Sequence, residues 1–187
     1  TPHLGVRSGG GTVIALLGQR ADVAQASADA AMLLIDRAVA HGATFVVLSP
    51  GSRNTALVLA AEAHPSVTTR VVLDERAAGF LALGYARQSG CPVVLVCTSG
   101  SAAAHYLPAV IEAFHSGVPL IVLSADRPPE AHRCGAPQTV PQANLFGDHL
   151  RARLIPQRTA DAWDLPTKSD EVDAVLRMAL ADGGDVR

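Results

Sequence analysis

The sequence predicts an α/β protein whose parallel sheet is covered by helices on both faces. Three observations carry that expectation. Apolar runs of strand length alternate with stretches of helical periodicity. Hydrophobic residues make up 49% but aromatics only 4%, so the apolar content is Ala, Val, Leu and Ile, which suits small-residue helices packed on a β-branched sheet. Each strand-like run ends in a turn rich in Gly, Ser, Pro or Asp.

The elements follow in order. Residues 22–41 read as a helix, with Asp22 and Gln25 resembling a capping box and Gly42 a natural stop. Ala28, Met32, Ile35 and Val39 recur on one face. The run FVVLS at 45–49 reads as a buried strand closed by Pro50-Gly51. A helix is expected at 55–63, a strand at 70–73 and a helix at 75–88. A strand at 92–97, a helix at 102–115 and a strand at 120–124 follow. The alternation implies right-handed crossovers in a Rossmann-like, doubly wound fold. Residues 127–146 are rich in Pro, Gly and Gln and read as one long loop of the kind that carries function. One more strand is expected at 151–155. A last amphipathic helix is expected at 169–181, with Val172, Val175, Leu176 and Ala179 on one side. Residues 1–21 read as an N-terminal extension, disorder being one expectation, and 182–187 as a linker or end.

Bulk properties exclude several classes. A length of 187 residues fits one domain with a substantial core. The net charge of -2 gives no basic field for nucleic acid or an anionic membrane. No apolar stretch has transmembrane length. Cys91, Cys97 and Cys134 form no C-x-x-C pair, so reduced thiols in a cytoplasmic protein are expected, packed as core. His105 and His115 read as packing or solvent-facing residues.

Ligands of open α/β sheets bind beyond the carboxyl ends of the strands. Four such ends are legible: residues 50–54, 74–76, 98–101 and 126–130. Each has a plain structural alternative. Asp74 and Glu75 suit a helix cap, Ser99-Gly100-Ser101 a tight turn, and Arg53 and Arg127 surface ion pairs. No Gly-x-Gly-x-x-Gly or Walker loop is present, which leaves a nucleotide-binding regulatory domain resting on fold analogy alone.

Taken together, five stretches between residues 48 and 147 resemble one family. They are LSPGSRNTAL, LDERAAGFLALGYA, VCTSGSAAAHYLPAVIEA, PLIVLSADRPPE and CGAPQTVPQANLFG. The resemblance is to 2-succinyl-5-enolpyruvyl-6-hydroxy-3-cyclohexene-1-carboxylate synthase, a thiamine-diphosphate transferase of menaquinone synthesis. The Asp-Glu-Arg and Thr-Ser-Gly pieces fit many thiamine-diphosphate enzymes. Pro-Gly-Ser-Arg with Ala-Asp-Arg-Pro-Pro-Glu is far more specific.

The resemblance implies that residues 22–187 are the pyrimidine-binding domain of such an enzyme. It places Glu75 at N1′ of the cofactor's aminopyrimidine. A proton shared there favours the imino tautomer, whose nitrogen deprotonates C2 of the thiazolium. Ser99 and Gly100 are implied in cofactor binding, and Ser52, Arg53, Arg127 and Gln138 in binding isochorismate. The other substrate is 2-oxoglutarate, which is decarboxylated before the succinyl unit is transferred. Isochorismate carries two carboxylates, which guanidinium groups suit.

Two departures stand out. Many family members have Asn where this chain has Pro137, so one substrate contact is expected to be lost or supplied elsewhere. The Gly-Asp-Gly…Asn motif that holds Mg²⁺ and the diphosphate is missing: Gly147-Asp148-His149 and Asp182-Gly183-Gly184 do not match it. A diphosphate-binding domain, of the same or another chain, is therefore an expected partner, and a homo-oligomer the expected assembly. By itself the fragment is expected to be inactive. The alternative is a non-catalytic binding or dimerisation module that keeps the same fold.

Overall fold

The computed structural model describes residues 11–155, 157–158, 163–164 and 169–180. Of the extension expected over residues 1–21, residues 1–10 lie outside them, as does the tail at 182–187.

Four parallel strands form the central sheet: β1 (Phe45–Leu48), β2 (Thr68–Val71), β3 (Val93–Cys97) and β4 (Leu120–Ser124). Their spatial order is β2-β1-β3-β4. Phe45 pairs with Thr68 on one side and Val93 on the other, and Val93 pairs with Leu120. The helices are α1 (Gly11–Ala40), α2 (Thr55–Ala63), α3 (Glu75–Ser89), α4 (Leu107–Ser116) and α5 (Ser169–Leu180).

Strand alternation divides the core in two. Val46, Leu48, Val94, Val96 and Ile121 point to one face, under Ala31, Ile35 and Ala38 of α1, Ala60 and Ala61 of α2, and Val172 and Leu176 of α5. Val47, Val93, Leu95 and Cys97 point to the other, under Ala78, Ala82 and Ala86 of α3 and Val110 of α4. All five residues of β3 are buried, as a central strand covered on both sides requires. Each fully buried Val or Leu contributes roughly 1.5–3 kcal/mol. The alanines on α3 let it sit close to the sheet. Gly79 brings it close to α4 as well, since a Cβ there would lie 3.0 Å from that of Ala109.

The strand order reverses at β1. The chain goes from β1 outward to β2 through α2, then back across β1 to β3 through α3. This puts α2 and α3 on opposite faces and opens a switch point between the ends of β1 and β3.

Several expectations need correction. Helix α1 begins at Gly11, so Asp22 lies inside it rather than at its cap. Ala15, Leu16, Leu17, Gln19 and Arg20 in the run 12–20 are strong helix formers, and the run contains no proline. Met32 is 51% exposed, because the buried stripe runs through Ala31, Ile35 and Ala38. β2 spans Thr68–Val71, two residues earlier than expected, and leaves Leu73 80% exposed. Register with β1 sets the strand here, and apolarity misled. The expected helix at 102–115 is two pieces: a 3₁₀ helix, Gly100–Tyr106, and then α4. Pro108, in the first turn of α4, has no N–H with which to continue the earlier ladder. Residues 151–155 form no strand. There Arg153 instead bonds the Ala143 carbonyl and Asn144 Oδ1. Within the loop 127–146, Pro129–Ala131 forms a 3₁₀ turn. A small antiparallel pair, β5 (Gln157–Arg158) with β6 (Trp163–Asp164), was not expected.

Of the three cysteines only Cys97 is core; Cys91 and Cys134 are exposed, one following a turn and the other in the long loop. Burial, and then the nearby Glu75 charge, push the Cys97 thiol from an ordinary 9.0 up to about 12. Native protein is therefore expected to react with a thiol reagent at Cys91 and Cys134 and not at Cys97. Above pH 9 the unfolded chain loses the Cys97 proton before the folded one does, so stability falls as pH rises towards 12. Mass-spectrometric site mapping and thermal melts against pH check both, and Cys97 labelling as fast as Cys91 would contradict them.

Candidate functional site

The carboxyl ends of β1, β3 and β4, and the turn that follows β2, form one rim, as the parallel order requires. Ser49 directly follows β1 and is 1% exposed. Its N–H donates to Val96 O at 2.8 Å and its hydroxyl to Val72 O at 2.8 Å. Tyr106, fully buried, donates its own hydroxyl towards Ser49 Oγ at 3.3 Å and Val96 O at 3.1 Å. Burial raises the Tyr106 phenol above its ordinary value, as do the Cys97 thiol and the Glu75 charge. It is therefore a permanent donor.

The first turn carries Ser52 and Arg53. Buried Asn54 shapes it, accepting from Gly51 N at 2.7 Å and donating to Ser49 O at 3.0 Å. Gly51 lies flat on Thr98: a Cβ there would fall 2.6 Å from Thr98 Cβ. The switch-point crevice is thus closed at its base by this contact, while Ser52 and Arg53 project from its lip, both exposed. Arg53 has no ion pair or hydrogen bond among the described residues.

The second turn separates two adjacent acids that both suited a helix cap. Asp74 is the cap of α3, with Oδ1 accepting from Ala77 N at 3.1 Å, and that bond holds its carboxyl below the usual range. Glu75, in the first turn of α3, is half-buried. It has no hydrogen bond or ion pair among the described residues.

The third turn and the long loop are locked together. Gly100 has φ +85°, a left-handed conformation, and a Cβ there would strike Gln138 Cγ at 2.7 Å. Ser99 Oγ donates to Gln138 O at 3.2 Å, and Gln138 Nε2 donates to Ser99 O at 2.9 Å. Gln142 Oε1 accepts from Gly100 N at 2.7 Å. Ser99 and Gly100 therefore lie beneath Gln138, and a ligand meets them only past that side chain. Arg127 Nη2 donates to Pro137 O at 3.0 Å, while its Nε is buried without a partner among the described residues. The Pro137 carbonyl thus has a use, although the residue has no N–H.

Ser99, Gly100, Gln138 and Arg127 are thus brought into one connected cluster. Ser52 and Arg53 join it through Gly51 and Thr98, and Glu75 stands on the same rim at the start of α3. Sequence reasoning missed Tyr106 and Gln142, and it assigned no role to Asn54. The Gly-x-x-Asn spacing of the first turn was a usable signal for Asn54; nothing local marked the other two.

The site fits an aminopyrimidine cofactor on one structural ground. Glu75 is a half-buried carboxylate on the ligand rim with no hydrogen-bond or ion-pair partner among the described residues, an arrangement that a ligand nitrogen would complete.

Residues 28–148 match the family model described as "Thiamine pyrophosphate enzyme, N-terminal TPP binding domain". Among curated proteins, the chain is 54% identical to a 2-succinyl-5-enolpyruvyl-6-hydroxy-3-cyclohexene-1-carboxylate synthase of Myxococcus xanthus, covering 81% of this chain and 29% of that protein. It is 56% identical to the synthase of that name from Haloarcula marismortui, over 80% of this chain and 25% of that one. For the Chlorobaculum tepidum protein of that name the identity is 44%, over 80% and 26%. The chain belongs to the thiamine pyrophosphate enzyme N-terminal domain family. It spans about a quarter of the length of the curated relatives it matches.

The Gly51–Thr98 contact yields a test. Gly51→Ala is expected to destabilise the fold by about 1–3 kcal/mol, as overpacking does. Thr98→Gly in the same chain should recover part of that loss. Urea unfolding measures both, and a neutral Gly51→Ala would contradict the close packing.

Proposed function

We propose that this chain is the pyrimidine-facing part of a thiamine-diphosphate-dependent synthase that decarboxylates 2-oxoglutarate and adds the succinyl unit to isochorismate. The observation that carries the reading is Glu75, without a partner among the described residues on the ligand rim while its neighbour Asp74 takes the capping role.

Bound there, thiamine diphosphate supplies the centre that stabilises the carbanion. Glu75 holds and exchanges a proton at N1′ of the aminopyrimidine. Ser99 and Gly100 form the floor beneath the cofactor, reached past Gln138, whose side chain packs where a Cβ of Gly100 would lie. Arg53 and Arg127 meet the carboxylates of isochorismate, whose two charges suit guanidinium groups. Ser52 and Gln138 add neutral hydrogen bonds. Magnesium, in this reading, is held with the diphosphate by the other domain, in a cytoplasmic homo-oligomer.

A covering domain has a place to sit. Val71 at the end of β2, Leu73 in the turn after it, and Phe80, Leu81 and Tyr85 of α3 are all exposed. An apolar strip of this kind suits a docked protein surface. A purely non-catalytic dimerisation module would share the strip, but it gives no reason for the unpartnered Glu75.

The complete protein, supplied with thiamine diphosphate, Mg²⁺, 2-oxoglutarate and isochorismate, is expected to form the cyclohexene-carboxylate product. Arg53→Ala and Arg127→Ala are each expected to raise the KM for isochorismate by roughly 10- to 100-fold, with a smaller effect on the KM for 2-oxoglutarate. Steady-state kinetics with each substrate varied in turn decides. No product, or arginine variants that leave the isochorismate KM unchanged, would overturn the assignment.

A further inference from the structure

Gln142 joins three segments with one side chain. Its Oε1 accepts from Gly100 N at 2.7 Å, and its Nε2 donates to Ala125 O at 2.9 Å. Gly100 follows β3 and Ala125 follows β4, while Gln142 itself belongs to the long loop that carries Arg127 and Gln138. The orientation of its amide is fixed by chemistry, because a backbone N–H must meet the oxygen and a carbonyl the nitrogen. Glutamate would keep the first bond and set an acceptor against Ala125 O. Leucine would make neither.

The position of this clamp matters for the groups around it. Gln138, four residues earlier, lies directly over Gly100 and also bonds Ser99 O. Arg127 is tied to the same loop through Pro137 O. Elsewhere the loop is held by Arg153, which bonds Ala143 O and Asn144 Oδ1 at its far end. Without Gln142, the Gly100 N–H and the Ala125 carbonyl lose this side-chain partner, and the loop keeps its bonds between Gln138 and Ser99 at the end of β3 but loses its side-chain bond to Ala125 at the end of β4.

We infer that Gln142 is a positioning residue that latches the loop to the strand ends, so that Gln138 and Arg127 stand at a fixed height above the Ser99–Gly100 floor. It touches no substrate and acts through these two residues. The latch is a property of the fold; its kinetic consequence rests on the function proposed above.

The test uses the complete protein with Gln142→Leu, and with Gln142→Glu as a second variant that keeps one of the two bonds. Two readouts are taken. The first is tryptic cleavage after Arg133, an exposed residue of the loop, compared with the thermal midpoint. The second is the KM for isochorismate against kcat and against the KM for 2-oxoglutarate.

The expected result for Gln142→Leu is cleavage faster by roughly tenfold with the thermal midpoint little changed. The isochorismate KM should rise by about tenfold, while kcat and the 2-oxoglutarate KM stay within about twofold. Gln142→Glu should fall between wild type and Gln142→Leu. Should Gln142→Leu not fold, the same criteria apply to Gln142→Glu. Unchanged cleavage in a folded variant overturns the latch. Faster cleavage with an unchanged isochorismate KM, or with kcat and both KM values altered together, overturns the positioning role. A wild-type protein that makes no product defeats the proposed function instead, and cleavage alone then decides the latch.

Discussion

The rim depends on the hydroxyl of Ser49. A parallel sheet buried on both faces ends in backbone groups that water cannot reach, and each needs a partner. Ser49 supplies several at once. Its side chain reaches Val72 O beyond β2, its N–H meets Val96 O of β3, and its carbonyl receives Asn54. Tyr106 closes the group from below. Each such bond contributes about 1 kcal/mol net, but a buried group left without one costs about 1–3 kcal/mol. The network therefore holds the ends of three strand segments in one arrangement, from which the ligand-facing turns project.

From that anchor the rim is built by contact between turns. Gly51 rests on Thr98, and Gly100 rests under Gln138. Both glycines stand where a side chain would occupy a neighbour's place. A site made this way is rigid on the β1–β3 side and depends on a loop on the β4 side. In the proposed function the chemical division follows the same line. Glu75 belongs to the rigid half, fixed by the cap that Asp74 provides for α3. Arg127 and Gln138 belong to the loop half. A proton-handling group benefits from fixed geometry, whereas a substrate must enter past something that can move.

Much of this was legible in the sequence, for identifiable reasons. The β1, β3 and β4 runs are apolar because both sheet faces are covered, so the strands announced themselves. The four rim segments could be located because turn chemistry follows each strand closely. The placement of β2 was not legible: at the sheet edge, pairing with β1 outweighs apolarity, and exposed Leu73 drew the expected strand two residues too far. The break before α4 was marked only by Pro108, a residue equally at home in a first turn. The resemblance singled out Glu75, but which of the two adjacent acids caps α3 was not legible from the residues, because it depends on the angle at which the chain enters. Tyr106 and Gln142 were silent, because their partners lie far away in sequence: Ser49 for the tyrosine, Gly100 and Ala125 for the glutamine. A residue that joins distant segments leaves no local pattern.

The central claim is that Glu75 handles a proton at the cofactor's aminopyrimidine. The most direct measurement is exchange of the C2 proton of thiamine diphosphate for deuterium, followed by NMR in the complete protein, with wild type compared with Glu75→Gln. Neither substrate is needed, so the result does not depend on which acceptor is used. The account predicts exchange slowed by on the order of 10²–10⁴-fold in Glu75→Gln, the usual range for loss of a positioned acid–base group, with the cofactor still bound. Exchange at the wild-type rate in a cofactor-loaded Glu75→Gln protein would contradict it.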